Sequence, residues 1–364
     1  MSSAGGWLPF DRYMQAVLYA PELGYYRNGL KKFGEGGDFI TAPEIGQAFG
    51  GCIARQCAQV LGGCGGSIIE FGAGSGALMV TIMLALKQEQ TLPERYYIVE
   101  LSAELRDRQQ QLAQQQLGGD ANRLCWLNRL PDKPINGVIV ANEVLDAMPI
   151  KLFSIEEQER VEELGVQLNG EGELIISQQS MSPPISETIA QRVGLMSGQR
   201  PYRSEIGLQG EAWVASLSEA IDTGAVLLID YGFNQATYYH PDRSEGTLMC
   251  HFQHHSNDDP LYMPGLQDVT SHVNFTALAD SALDNGFEVA GFAPQAHFLL
   301  ALGLLENVAD GLDDKSQMKA AQEIKKLTLP HEMGELFKVL ALTKNFDEPL
   351  LGFTHINHGN RLWT

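Results

Sequence analysis

The segment SIIEFGAGSGALMVTIMLALK, residues 67–87, constrains the fold more than any other part of the chain. Its first five residues form an apolar run bounded by glycines, the pattern of a strand buried on both faces of a parallel sheet. Gly72, Gly74 and Gly76 then let the backbone turn tightly and approach a ligand with no Cβ in the way. An apolar helix follows from Ala77 to Lys87. The unit recurs downstream. YYIVE (96–100) reads as a second strand, and residues 103–116 as a Gln-rich amphipathic helix with a solvated face. LCWL (124–127), GVIVAN (137–142) and AVLLIDYG (225–232) read as further strands. Strands alternating with helices predict an α/β fold with a doubly wound, parallel, Rossmann-like sheet.

Two stretches depart from that rhythm. Residues 151–222 alternate as antiparallel strands do, with a turn at Asn169-Gly170, and read as an inserted subdomain on the substrate side. Residues 1–66 read as an N-terminal helical and loop region, with helices over 10–18 and 45–61 and a Gly- and Pro-punctuated loop between. The predicted division is therefore 1–66, a core from 67–150 and 223–364, and the insertion 151–222. The EMGELFKVLALTKN segment fits either the core or an interface.

The glycine turn admits two readings. Gly72, Gly74 and Ala77 satisfy the G-x-G-x-x-A dinucleotide fingerprint. Glu70, Gly72, Gly74 and Gly76 equally satisfy E-x-G-x-G-x-G, the pattern of class I S-adenosylmethionine (SAM) methyltransferases. Glu100, at the end of the next strand, can accept hydrogen bonds from ribose hydroxyls. Both cofactors offer these, so Glu100 supports a nucleoside ligand without choosing between them.

ANEVLDAMP leaves the strand that ends near Ala141. Ligands of open α/β sheets bind beyond the carboxyl ends of strands, which puts Asn142, Glu143 and Asp146 close to the glycine turn. Unpaired charges are poor core residues, so these groups are candidates for holding the acceptor. The plainer reading is a helix N-cap with acids favoured by the dipole. GEGGDFITAPE, ending at Glu44 and containing Asp38 and Thr41, can fold over a ligand as a lid. HFQHHSNDD (251–259) has metal-like residue types, but its flanking Gly and Pro make it a loop, and no metal is expected. His272 reads as a packed histidine ahead of a general base.

The chain carries 45 acidic and 25 basic residues, a net charge of −20. That excess argues against nucleic acid as partner and suits a basic protein or peptide. Five cysteines without a C-x-x-C pair argue against a disulfide framework or a zinc ribbon. The N-terminus shows no signal-peptide pattern and no apolar stretch reaches membrane-spanning length, so a cytoplasmic protein with no membrane partner is expected.

Taken together, FDRYMQAVLYAPELGYY, GGDFITAPEIGQAFG, EFGAGSGALM, VIVANEVLDAMPIKLF, VLLIDYGF, GTLMCHFQHHSNDDPLYMPGLQDVTSHVNF and EMGELFKVLAL resemble the MidA-like SAM-dependent methyltransferase family. The resemblance runs from about Trp7 to Leu362. It implies a class I methyltransferase fold, SAM as methyl donor and S-adenosylhomocysteine as product. It further implies that Gly72, Gly74 and Gly76 form the cofactor turn and that Glu100 is the ribose acid. By the same resemblance, 37–44 covers the cofactor and 142–149 lies at the reaction site. The family's mitochondrial members are arginine methyltransferases that help assemble respiratory complex I, which implies an arginine-bearing protein substrate, a respiratory-complex subunit among them. Ala42 stands where Ser is common in the family. Members also carry a further helix before the segment matching GGWLPFDRYM, where six residues precede Trp7 here. The competing readings are a small-molecule methyltransferase, an NAD-dependent oxidoreductase and a non-catalytic assembly factor that binds SAM.

Overall fold

The computed structural model describes residues 6–28, 42–194, 201–253, 255–306 and 314–364. Its centre is a sheet built from β1 (Ser67–Phe71), β2 (Tyr96–Val99), β3 (Leu124–Leu127), β4 (Ile135–Asn142), β5 (Ile221–Phe233), β6 (Glu288–Pro294) and β7 (Phe337–Lys344). The spatial order is β6-β7-β5-β4-β1-β2-β3, and the short strand Val273–Asn274 adds to the end of β5. β1 to β5 run parallel. β7 runs antiparallel to both β5 and β6, which departs from the all-parallel expectation. The C-terminal EMGELFKVLALTKN segment thus supplies a core strand, one in from the edge of the sheet.

The apolar runs are explained by burial on both faces. Ile68, Val138, Val140 and Leu227 face one side, where α2 (Gln47–Cys64) and α3 (Ala77–Gln88) bring Phe49, Ile53, Cys57 and Ile82. Ile69, Ile139, Val226 and Leu228 face the other, where α5 (Leu208–Leu217) and α6 (Phe275–Asp284) bring Val214, Leu217, Phe275 and Leu278. α5 lies within the 151–222 segment of the chain but packs on the core sheet. α4 (Ala103–Leu117) follows β2, and one of its residues departs from the solvated-face reading: Gln109 is fully buried.

The inserted region forms a five-stranded antiparallel sheet from Lys151–Ile155, Val161–Leu168, Leu174–Ser180, Tyr202–Ile206 and the N-terminal strand Trp7–Pro9. Leu8 pairs with Val166, so the start of the chain is stitched into the insertion. α1 (Phe10–Tyr19) packs Phe10, Met14 and Leu18 with Ile150, Val166 and Val269. HFQHHSNDD differs from its loop expectation. His251 and His255 lie on the strands Met249–Phe252 and His255–Asn257, which pair with each other and with Asp268–Thr270. His254 lies outside the described residues. The five cysteines are free thiols.

Candidate active site

The sheet order reverses between β1 and β4: β1 to β3 build outward on one side, β4 and β5 on the other. Loops leaving two neighbouring strands at such a point diverge, one above and one below the sheet, and leave a crevice at the carboxyl ends. A cavity of about 670 Å³ opens there. Its lining brings together Glu70, Gly72, Gly74, Glu100, Asn142, Glu143 and Asp146 from three separate strand ends. Asp38 and Thr41 lie outside the described residues.

The turn after β1 has the conformation its glycines foretold. Gly72, Gly74 and Gly76 have φ of 62°, 52° and 87°, a region in which a side chain is strained. Gly72 and Gly74 line the cavity, whereas Gly76 precedes α3 and touches α4, a Cβ there meeting Gln109 Cγ at 3.3 Å. Glu44, the last residue of the GDFITAPE segment, accepts a hydrogen bond from Ser75 in the same turn.

Two acids flank the turn. Glu70 is buried and accepts from Tyr96 Oη at 2.5 Å; burial raises its pKa to about 7 against that hydrogen bond. Glu100 accepts from the Ser102 amide at Oε1 (2.9 Å) and from Gln109 Nε2 at Oε2 (3.2 Å). Burial pushes its pKa up, and those donors pull it down. A carboxylate has about four lone-pair positions; with the Ser102, Gln109 and Leu101 donors counted, one stays available to a ligand hydroxyl.

The other wall is richer in acids. Glu143 sits at φ 54°, a conformation that costs a non-glycine residue about 1–3 kcal/mol and clusters at functional sites. Its backbone N–H donates a hydrogen bond to the Ile229 carbonyl at 2.9 Å. Its carboxylate accepts from Asn142 Nδ2 at 3.1 Å and from the Ala42 amide. Burial, then the nearby Asp146, raises its pKa to about 8. Asp146 accepts from Tyr231 Oη at 2.6 Å, and burial raises its pKa to about 6. The Asn142 Oδ1 atom is buried with no hydrogen-bond partner. A third acid, Asp230, carries no marker in the sequence, because it ends the apolar run VLLID. It accepts from the amides of Leu145 (3.0 Å), Asp146 (3.2 Å) and Tyr231 (2.9 Å), so it shapes the turn that carries Asp146. Burial, then Asp146 and Glu143, push its pKa far up.

Aromatic rings complete this wall. Tyr19 and Tyr26 stack at 5.5 Å, Tyr19 Oη donates to the Ala147 carbonyl at 2.9 Å, and Tyr26 Oη donates to Asp268 at 2.9 Å. Both come from the FDRYMQAVLYAPELGYY segment of the N-terminal region, whose pattern does not mark either tyrosine as a site residue. His272 is sandwiched in an aromatic column, stacked on Phe233 and edge-on to Tyr231, each at 5.1 Å. Burial lowers its pKa to about 4, so it is neutral at physiological pH and packs as the sequence suggests.

A glycine turn and an unsaturated strand-end acid on one side of a switch-point cavity, with an acidic aromatic wall on the other, define a class I SAM-dependent methyltransferase. The comparisons identify the family. The model of the S-adenosyl-L-methionine-dependent methyltransferase family matches residues 52–293, well over half of the chain, and the chain belongs to that family. A superfamily member from Burkholderia thailandensis, solved with S-adenosyl-homocysteine bound, is 38% identical. It superposes with a TM-score of 0.93 over 99% of this chain and 94% of that one. The protein arginine methyltransferase NDUFAF7 homolog of Drosophila melanogaster is 28% identical, over 96% of this chain and 86% of its own length. Human NDUFAF7 is 26% identical, over 93% and 80%. The protein is therefore a SAM-dependent methyltransferase, and the dinucleotide reading of the glycine turn falls away. These curated relatives are named mitochondrial, which overturns the cytoplasmic expectation. No helix among the described residues is long and apolar enough to cross a membrane.

Proposed function

We propose that this enzyme methylates an arginine guanidinium of a basic partner protein, with a respiratory-complex subunit the first substrate to test. The observation that carries the reading is the wall formed by Glu143 and Asp146, backed by Asp230, which faces the glycine turn across one cavity. Burial raises the pKa of all three acids, and a cation arriving among them would favour their ionised forms. A guanidinium has five donors in a planar fork that carboxylates meet bidentately, and tyrosine faces attract it further. The names of the curated relatives support the same acceptor.

In this reading Gly72 and Gly74 cradle the cofactor, Glu70 lies toward its ammonium, and Glu100 receives its ribose hydroxyls. The fit is good: the turn presents bare backbone to the cavity, and Glu100 keeps an acceptor position open. SAM supplies a methyl group activated by the sulfonium. The chain's part is alignment. Glu143 and Asp146 hold the fork so that one terminal nitrogen faces the methyl, and Asn142 Oδ1 is free to accept from a further N–H. The guanidinium proton leaves after transfer, so no strong base is needed beforehand. Orienting two reactants in this way contributes on the order of 7–11 kcal/mol at its best.

The test is incubation of a knockout lysate with labelled SAM and the enzyme, followed by mass spectrometry of the labelled band. Methylarginine in a protein is the expected product. Label confined to small molecules, or to lysine, would reject an arginine acceptor.

A further inference from the structure

Gln109 lies on α4, outside every motif of the site, in a run of glutamines that reads as solvent-facing. It is nonetheless fully buried, and each polar atom of its amide has a partner. Nε2 donates to the Gly74 carbonyl at 2.9 Å and to Glu100 Oε2 at 3.2 Å. Oε1 accepts from Trp126 Nε1, on β3, at 2.8 Å. The indole is a donor only, so it fixes which end of the amide is oxygen and leaves both N–H groups for the site. Gln109 therefore bonds at once to the glycine turn and to the strand-end acid, which are separate chain segments.

We propose that Gln109 is a positioning residue for the cofactor, setting the spacing between the glycine turn and Glu100, with Trp126 locking its orientation. The proposal rests on the cofactor roles given above to Gly74 and Glu100. Asparagine is one carbon too short to span both partners, and glutamate supplies no N–H. Leucine or methionine fills the space but leaves the Gly74 carbonyl, Glu100 and Trp126 Nε1 with one partner fewer. A carboxylate at 109 faces Glu100 at the end of β2, with Glu70 beyond it on β1. Arg106, a cation on the same helix, is engaged with the Glu100 carbonyl at 2.9 Å. Repulsion then opens the site, and protonation, which restores one donor, closes it again.

The test is calorimetric titration of S-adenosylhomocysteine into the full chain and its variants, each with a melting curve. Gln109→Met is expected to weaken binding at least about tenfold, or roughly 1.4 kcal/mol. Gln109→Glu is expected to bind poorly at pH 8 and to recover at least about fivefold, relative to wild type, by pH 6. A packing role predicts no such recovery. Folded Gln109→Met with affinity within twofold of wild type overturns the proposal. If Gln109→Met does not fold, a flat ratio of Gln109→Glu to wild type across that pH range overturns it. Glu100→Gln separates the two levels. Unchanged affinity in Glu100→Gln removes the cofactor role given to Glu100, whereas a loss there with none at Gln109 removes only the positioning role.

Discussion

The two walls of the cavity are built on opposite principles. Around the glycine turn, polar groups are matched: Gln109 is saturated by Gly74, Glu100 and Trp126, and Ser102 and Tyr96 donate to the two acids. Positive φ there falls on glycines, where it costs little. Across the cavity the groups are mismatched. Three acids share one neighbourhood, Asn142 Oδ1 lacks a partner, and the positive φ falls on Glu143. A network held by its own hydrogen bonds, with one acceptor position left on Glu100, suits a ligand that is always the same, as a cofactor is. A wall of acids held at raised pKa suits a cation that restores the charge balance when it arrives.

Damage to each wall therefore has a distinct signature. The largest effect is expected from Gly74→Val, which forces a β-branched residue to φ 52° at the cavity edge. Affinity for S-adenosylhomocysteine should fall at least about a hundredfold, roughly 2.7 kcal/mol by calorimetry. Unchanged affinity in the folded variant would remove the turn from the cofactor site. Glu143→Gln should keep cofactor binding but lower methylation at least about tenfold, near 1.4 kcal/mol in the barrier. Near-normal turnover would take Glu143 out of the acceptor site.

A cationic acceptor needs the ionised acids, so kcat/KM should rise with pH through the range set by Asp146 (about 6) and Glu143 (about 8). A profile flat from pH 5.5 to 8.5 would contradict this. Stability of the free enzyme should move the opposite way. Both acids bind protons more tightly folded than unfolded, so their contribution is full below the unfolded values and is lost as pH rises toward 8. Tm should fall across that interval, less steeply in Glu143→Gln, and scanning calorimetry reads the difference. The smallest effect is expected from Tyr231→Phe. It removes one hydrogen bond from Asp146 and should move the lower limb of the pH profile upward by a few tenths of a pH unit.

How much of this was visible in the chain differs along the same lines. The strands 67–71, 96–99 and 124–127 and the helix 77–88 stand close to where hydrophobic period and glycines put them. Both faces of the sheet are buried, and the sequence shows that directly as unbroken apolar runs. Glu143 and Asp146 were legible because acids directly following such a run have little reason to be there otherwise. Asp230 was not, since a single acid at the end of a run gives no sign that three amides converge on it. The direction of β7 was equally hidden: an apolar strand reads the same parallel or antiparallel, and only its place between β5 and β6 fixes its sense. Nor does a short apolar strand near the N-terminus announce that it will pair with residues 165–167.

The sequence by itself determined the strand–turn–helix core, the glycine turn, and acids at the ends of β2 and β4, because local period and backbone freedom are properties of neighbouring residues. Tertiary structure alone decided that Tyr19 and Tyr26 join the acidic wall, that Asp230 backs it, and that one glutamine among several ties the turn to Glu100. Those facts depend on which distant segments the sheet brings within hydrogen-bonding range, and a distance across the fold leaves no periodic trace in the chain.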